Sequence, residues 1–284
     1  MRPAVGRAAP DAQLSTANPS YQNSAQTPMQ PSGYNLPMRR RFFVDRFENT
    51  SATLRGETAV HLGRVLRAEP GQLYELSDGN ALWLARIDDV GLLNRGENRI
   101  KFSLVEQLEA YVSTLHLTLL VAMIKFDRFE WCLEKATELG VTEIIPLATD
   151  RTDKPLLAAA AKRHTRWGKI LHESAQQSRR LAPPKLRQAA PPAKAFHAQN
   201  GGLKLLLSER PDAPPLREIL VAPANVESNR AALAIGPEGG WTESELNAAR
   251  SAQFAEASLG GLILRTETAV LAAMSVMQFG LGTK

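Results

Sequence analysis

Two glycine-rich segments late in the chain hold the residues best suited to chemistry. The first reads Ala234-Ile235-Gly236-Pro237-Glu238-Gly239-Gly240-Trp241-Thr242-Glu243-Ser244-Glu245. An apolar run there enters a loop of three glycines and a proline, which lets a ligand lie against backbone that carries no Cβ. Thr242 and Glu245 stand at capping-box spacing, so a helix is expected to begin beside them. Strand, glycine loop and helix in that order are typical of nucleotide-like ligand sites at the carboxyl ends of parallel strands; a plain tight turn is an equally good reading of the loop alone. Neither Gly-x-Gly-x-x-Gly nor Gly-x4-Gly-Lys-Ser/Thr occurs, which disfavours a dinucleotide-binding Rossmann motif and a P-loop. The second segment, Ser258-Leu259-Gly260-Gly261-Leu262-Ile263-Leu264-Arg265-Thr266-Glu267-Thr268-Ala269, has the same character. Thr266 is expected to cap the helix that follows, and Glu267 suits its first turn. Positions 270–277 are apolar on nearly every side, so that helix must be covered all round, by core or by a second subunit.

Such loops need a scaffold, and the chain has two patterns that supply one. From 41 to about 107, short apolar runs at 42–44, 73–76, 81–87 and 100–105 alternate with turn residues, with one amphipathic helix at 58–67. That spacing suggests a small β-barrel. From 111 onward, strand-like runs at 115–123, 141–147, 203–207 and 231–235 alternate with helical patterns at 128–139 and 156–177. Alternation of this kind implies an α/β domain with a mainly parallel sheet. The expected organisation is therefore 1–37 as a disordered tail, 38–110 as the barrel and 111–284 as the α/β domain. The tail holds Arg2, Arg7 and Asp11 as its only charges, has no apolar periodicity, and lacks the apolar stretch of a secretory signal. Composition switches abruptly at Met38, which is expected to be a translation start or the first ordered residue.

Composition narrows the function further. In 284 residues there is one Cys, Cys132, so an internal disulfide and a Cys-rich metal site are both excluded and a reducing, cytoplasmic setting fits. No apolar run approaches the roughly 20 residues that cross a bilayer. The net charge of +5 is unevenly placed: ten basic residues stand against two acidic ones between Arg151 and Arg187. A polyanionic partner is one explanation, through counterion release at each neutralised phosphate; a solvated helix face is the other. Trp131 is expected in the core, with Cys132 as an inert apolar residue beside it.

The motifs together resemble the RsmE family. The resemblance rests on Gly236-Pro237-Glu238-Gly239-Gly240, on Leu259-Gly260 with Ile263-Leu264-Arg265-Thr266-Glu267-Thr268-Ala269, and on the Arg39-Arg40-Arg41-Phe42-Phe43 start. It is carried further by His61-Leu62 with Val65-Leu66-Arg67, by Lys125-x-Asp127-Arg128-x-Glu130-Trp131 leading to Lys135-Ala136-Thr137-Glu138-Leu139-Gly140, and by Gln177-Ser178-x-Arg180. Members are bacterial 16S ribosomal RNA methyltransferases that methylate N3 of a uridine with S-adenosylmethionine. The resemblance implies an N-terminal PUA-like β-barrel, a C-terminal SPOUT-type α/β domain with a trefoil knot, and a homodimer. It implies that S-adenosylmethionine lies against Leu207, Ser208, Gly236, Pro237, Glu238, Gly239, Gly240, Leu259, Gly260, Leu264, Arg265, Thr266 and Ala269. Arg39, Arg40, Arg41, Arg67, Lys125, Arg128, Arg179 and Arg180 are the expected contacts to 16S ribosomal RNA or the small subunit. Leu262 and Gln176 depart from the family pattern, where a basic residue and a Glu are usual.

A sulfonium is already an activated leaving group, so no metal is called for. The enzyme must align the uridine nitrogen with the methyl carbon and help remove the imide proton. Arg265 is the expected catalytic cation, stabilising charge on the uracil oxygens or gripping a phosphate. Glu267, or Glu238, is expected as proton acceptor or loop organiser; at a helix N-terminus the anionic form of Glu267 is favoured, which suits an anchor better than a base. Two other readings fit the same residues: a methyltransferase of this fold acting on another RNA, and a non-catalytic RNA-binding assembly factor.

Overall fold

The computed structural model describes residues 40–91, 97–222 and 229–282. The expected tail, the Met38 boundary and Arg39 lie outside the described residues. The first part is a six-stranded mixed sheet made of β1 (Arg41–Phe43), β2 (Phe47–Glu48), β3 (Ser51–Arg55), β4 (Leu73–Ser77), β5 (Leu82–Gly91) and β6 (Arg99–Leu108), in the order β1-β4-β5-β6-β3-β2. β1 and β2 occupy opposite edges, yet Phe43 and Phe47 are only four residues apart, a reach of about 14 Å at full stretch. The sheet must therefore curl until its edges approach, as a barrel does. Bulges in the β5–β6 pair at Leu84/Ala85 and Ile87/Asp89 add to the bend. Inside the curl, alternate residues such as Leu54, Leu76, Ile87, Ile100 and Phe102 form one core.

Local chemistry sets the connections. The Asp78 carboxylate accepts the backbone N–H of Asn80 at 2.9 Å and of Ala81 at 2.8 Å, folding the tight turn between β4 and β5. The helix expected over 58–67 is instead α1 (Gly56–Val60) running into a π-helical turn at His61–Val65. The wider turn keeps Ala59 and Leu62 inward but rotates Val65 out to solvent, away from the face it was expected to share.

The second part is a parallel sheet, β7 (His116–Ala122), β8 (Glu143–Leu147), β9 (Lys185–Leu186), β10 (Leu203–Leu207), β11 (Arg230–Ile235) and β12 (Ala255–Ala257), ordered β12-β10-β11-β7-β8-β9. Six helices accompany it among the described residues: α2 (Phe126–Glu138), α3 (Lys154–Gln177), α4 (Pro192–His197), α5 (Leu216–Leu220), α6 (Glu243–Ser251) and α7 (Thr266–Leu281). Central β7 sorts its side chains by parity. Leu117, Leu119 and Val121 face Phe129, Leu133, Trp167 and Met274 of α2, α3 and α7, whereas Leu120 faces Phe196, Leu246 and Phe254 on the other layer. Trp131 was expected in this core and is 39% exposed, because Phe129, Cys132, Leu133 and Ala136 already occupy the inward face of α2. No helix of the described residues is long and apolar enough to cross a membrane.

The two parts meet along β1, β4 and the end of α3. Arg41, only 8% exposed, donates to the Glu75 carboxylate at 2.9 and 3.1 Å and to the Arg179 carbonyl. The Ser77 hydroxyl donates to the Leu181 carbonyl at 2.6 Å, and the Phe43 ring sits edge-on to His172 with centroids 5.0 Å apart. Replacing Arg41 would leave the partly buried Glu75 carboxylate without its cation, the costly way to break an ion pair. Arg41→Met is expected to lower the free energy of unfolding by about 3 kcal/mol in a urea titration; a change below about 0.5 kcal/mol, the range of ordinary surface substitutions, would show that this contact does not hold the parts together.

Candidate active site

Loops that follow β8, β10, β11 and β12 converge at the carboxyl end of the parallel sheet around a cleft of about 890 Å³. Clefts of this size at strand carboxyl ends commonly hold cofactors. Side chains from one loop cap the backbone of the next. The Trp241 indole N–H donates to the Leu207 carbonyl at 2.9 Å, the Thr266 hydroxyl donates to the Gly236 carbonyl at 3.1 Å, and the Arg151 guanidinium donates to the Gly239 carbonyl. The expected capping box is present: Thr242 and Glu245 bond each other's backbone N–H groups at the start of α6. Buried Glu245 also accepts the Asp150 N–H at 2.9 Å, which ties the β8 loop to the glycine loop. Thr266 does not cap α7. Arg265 takes the N-cap position, without a side-chain cap bond, and Thr266 lies inside the helix because its hydroxyl serves Gly236.

Eleven of the thirteen residues expected around the cofactor line this cleft: Leu207, Ser208, Gly236, Pro237, Gly239, Gly240, Leu259, Gly260, Leu264, Thr266 and Ala269. The two that do not are Glu238 and Arg265. Glu238 turns outward and pairs with Arg128. Arg265 is exposed at the start of α7, where its carbonyl accepts the Ala269 N–H at 2.9 Å. Glycine is required at Gly236 by proximity, since a Cβ there would stand 2.9 Å from Cε2 of Trp241. It is required at Gly240 by conformation, the φ of 73° being left-handed.

Glu267 faces a separate cleft of about 320 Å³, shared with Asp127, Arg128 and Trp131. Its Oε1 is 3.7 Å from Nε of Arg128, and its Oε2 is buried without a hydrogen-bond partner. Arg128 thus bridges Glu238 of the first glycine loop and Glu267 of the second. Burial, reinforced by the nearby Glu267 charge, pushes the Cys132 thiol up to about 12, which makes it unreactive at neutral pH, as expected.

The expected RNA contacts divide. Arg40, Arg67, Lys125 and Arg179 are exposed. Arg41 and Arg128 are engaged in the pairs described, and Arg180 donates to the Thr137 carbonyl at 2.7 Å and the Ala182 carbonyl at 3.3 Å. Burial pulls the Arg180 guanidinium down to about 10, still charged at neutral pH, so these three cations brace the fold. Much of the basic run is likewise paired: Glu130 holds Arg163 and Arg166, Glu143 holds Arg187, and Glu57 holds Lys169. Arg151, Trp241 and Glu245 belong to the site although the sequence motifs did not assign them to it. Trp241 directly follows the Gly239-Gly240 pair, which was a usable signal, whereas Arg151 was lost within the basic run.

Comparison with known proteins agrees with this geometry. A family model described as an RNA methyltransferase domain matches residues 112–278. The chain is 34% identical to ribosomal RNA small subunit methyltransferase E of Synechocystis over 86% of its own length and 78% of that protein's. With the Rickettsia conorii protein of the same name the values are 32%, 80% and 89%. The crystal structure of ribosomal RNA small subunit methyltransferase E from Neisseria gonorrhoeae, bound to S-adenosyl methionine, superposes with a TM-score of 0.75 at 31% identity, over 86% of this chain and 98% of that one. A putative methyltransferase from Legionella pneumophila, in complex with the cofactor, gives 0.75 at 30% identity, with 87% and 100% covered. An α/β fold, a cleft built from the two glycine loops, and this degree of likeness over most of both chains have one common reading: the chain belongs to the ribosomal RNA small subunit methyltransferase E family.

Proposed function

We propose that this chain is an S-adenosylmethionine-dependent methyltransferase that modifies N3 of one uridine in 16S ribosomal RNA of the small subunit, in the cytoplasm and as a homodimer. The observation that carries the proposal is the meeting of both glycine loops in one cleft, with eleven of the residues expected around the donor on its walls. The walls suit a nucleoside sulfonium. Leu207, Leu259, Leu264 and Ala269 supply apolar surface for a purine, and Gly236, Gly239 and Gly240 present bare backbone. When bound, the sulfonium supplies an electrophilic methyl group.

The chain's own residues then have separable tasks. The loop hydrogen bonds hold the donor pocket rigid, so that a nitrogen nucleophile meets it in line. Arg265, exposed where α7 begins, stabilises negative charge developing on the uracil oxygens as the N3 proton passes to solvent water, and transfer of the methyl from sulfur to N3 leaves the neutral thioether S-adenosylhomocysteine. Glu238 and Glu267, both in contact with Arg128, act as loop anchors. The curled sheet fits a PUA-like barrel over 38–110, and exposed Arg40 and Arg67 give it an RNA-facing charge. The α/β part fits the methyltransferase domain over 111–284, with the trefoil knot threading the cleft loops. Dimerisation is supported by apolar side chains left bare on the elements that bound the cleft: Leu262 at 83%, Ile263 at 81% and Phe279 at 93% exposure.

Incubation with labelled S-adenosylmethionine and under-methylated small subunits is expected to place one methyl group on one 16S uridine, read by mass spectrometry of the digested RNA. Transfer to a different RNA would redirect the substrate assignment, and no donor affinity at all would favour a binding-only assembly factor. Gly236→Ala is expected to weaken donor binding about tenfold in calorimetry, because the new methyl displaces Trp241 from the Leu207 carbonyl; unchanged affinity would disconnect that loop from the donor. Light scattering is expected to give twice the chain mass for the wild type and a single chain mass for Ile263→Glu/Phe279→Glu. A monomeric wild type would remove the dimer from the proposal.

A further inference from the structure

Arg151 lies outside both glycine motifs, on the loop after β8, and forms part of the cleft wall. Its backbone is fixed on either side. The Asp150 N–H is bonded to the Glu245 carboxylate at 2.9 Å, and the buried Thr152 hydroxyl lies 2.7 Å from Oγ1 of Thr149 and 3.3 Å from the Met123 carbonyl. The side chain is fixed too. One guanidinium N–H donates to the Gly239 carbonyl, and Cδ would be 3.2 Å from a Cβ at Gly239, so the stem packs on bare backbone. The other guanidinium donors remain open.

Charge in the cleft wall then has an uneven distribution. Arg210, the other cation there, is surrounded by acids: Asp212 at 3.2 Å, Glu243 at 3.4 Å and Glu256 at 3.9 Å. Glu209 is exposed on the same wall and forms no ion pair among the described residues. Arg151 likewise has no acidic partner among them. One unmatched cation and one unmatched anion in a cleft complement a zwitterion, and an α-amino acid is the zwitterion carried by the donor. A guanidinium fork matches a carboxylate in shape as well as charge, and one already anchored through another bond loses little freedom in binding it.

We propose that Arg151 binds the α-carboxylate of S-adenosylmethionine with the N–H groups left open by its bond to Gly239, and so positions the donor within the cleft. The inference rests on the donor assignment made under Proposed function. An RNA phosphate is the rival anion for the same cation.

Decarboxylated S-adenosylmethionine keeps the sulfonium, the adenosine and the amine and lacks only the carboxylate, so it separates these roles. In calorimetry with the full-length protein, the wild type is expected to bind S-adenosylmethionine about ten- to a hundredfold more tightly than the decarboxylated compound. Arg151→Gln is expected to lose that whole preference, any weakening through the lost bond to Gly239 falling on both ligands alike and the rest on the complete donor, and Arg151→Lys, a point charge without the fork, to fall between. Equal weakening of both ligands would overturn the proposal, leaving Arg151 a brace for the Gly239 loop. Unchanged donor binding with weaker retention of 16S RNA on a filter would overturn it in favour of phosphate. A wild type that binds neither compound would remove the donor assignment itself, an outcome visible before any variant is made. Thermal melting of each variant identifies one that fails to fold, and the Lys variant, which keeps the charge and most of the stem, then carries the comparison.

Discussion

The carbonyls of Leu207, Gly236 and Gly239 are each capped by a side chain from a different segment, Trp241, Thr266 and Arg151 respectively, and the cleft depends on that mutual capping. Loop backbone at the end of a parallel sheet has no ladder to join; for the partly buried Leu207 and Gly236, a carbonyl shielded from water without a donor would cost about 1–3 kcal/mol. Supplying the donors from neighbouring loops satisfies the backbone and locks the loops together in one step. It also explains the glycines. Trp241 reaches Leu207 only by lying where a Cβ of Gly236 would be, and the stem of Arg151 crosses close above Gly239. A ligand in the cleft therefore meets walls that are already in place, which reduces what binding must lose in conformational entropy.

A second layer of polar contacts, farther out, holds the loops to the sheet and the two parts of the chain to each other. Glu245 joins the β8 loop to the start of α6, and Arg128 spans Glu238 and Glu267 across the base of the two glycine loops. Arg41 serves the Arg179 carbonyl just past the end of α3, and Arg180 serves that of Thr137 in α2. Cations that sequence alone assigns to nucleic acid are thus partly structural. The concentrated positive charge between Arg151 and Arg187 is moderated by Glu130, Glu143 and Glu57, while Lys154, Lys162 and Lys185 are exposed cations of that run outside these pairs. Exposed ion pairs contribute little to stability and are readily exchanged for phosphate, so the paired arginines of α3 can still rearrange when RNA approaches.

Residues whose role follows from local spacing were legible in advance. The capping box at Thr242 and Glu245, the parallel strands flanked by helices, and the glycine loops that line the cleft depend on neighbours within a few positions or on periodicity along one element. The short strands β2, β9 and β12 were not legible. Two or three residues carry too little pattern, and Ala255-Glu256-Ala257 pairs only because β10 runs alongside it. Trp131 and Val65 misled for a related reason: an apolar type suggests burial, but which side of a helix is inward is decided by whatever packs there.

What the chain determined by itself was the α/β class, the two loops able to bring backbone to a ligand, and the family pattern they complete, all of which follow from local conformational preference and hydrophobic period. That Thr266 would serve Gly236 rather than cap its own helix, that Glu267 would open into a different cleft from the one lined by Thr266 and Ala269, and that Arg151 would arrive from a strand two places along the sheet were decided only on folding. These are contacts between segments 30 to 140 positions apart, and a hydrogen bond or a shared wall at that separation leaves no periodic trace in the residues between.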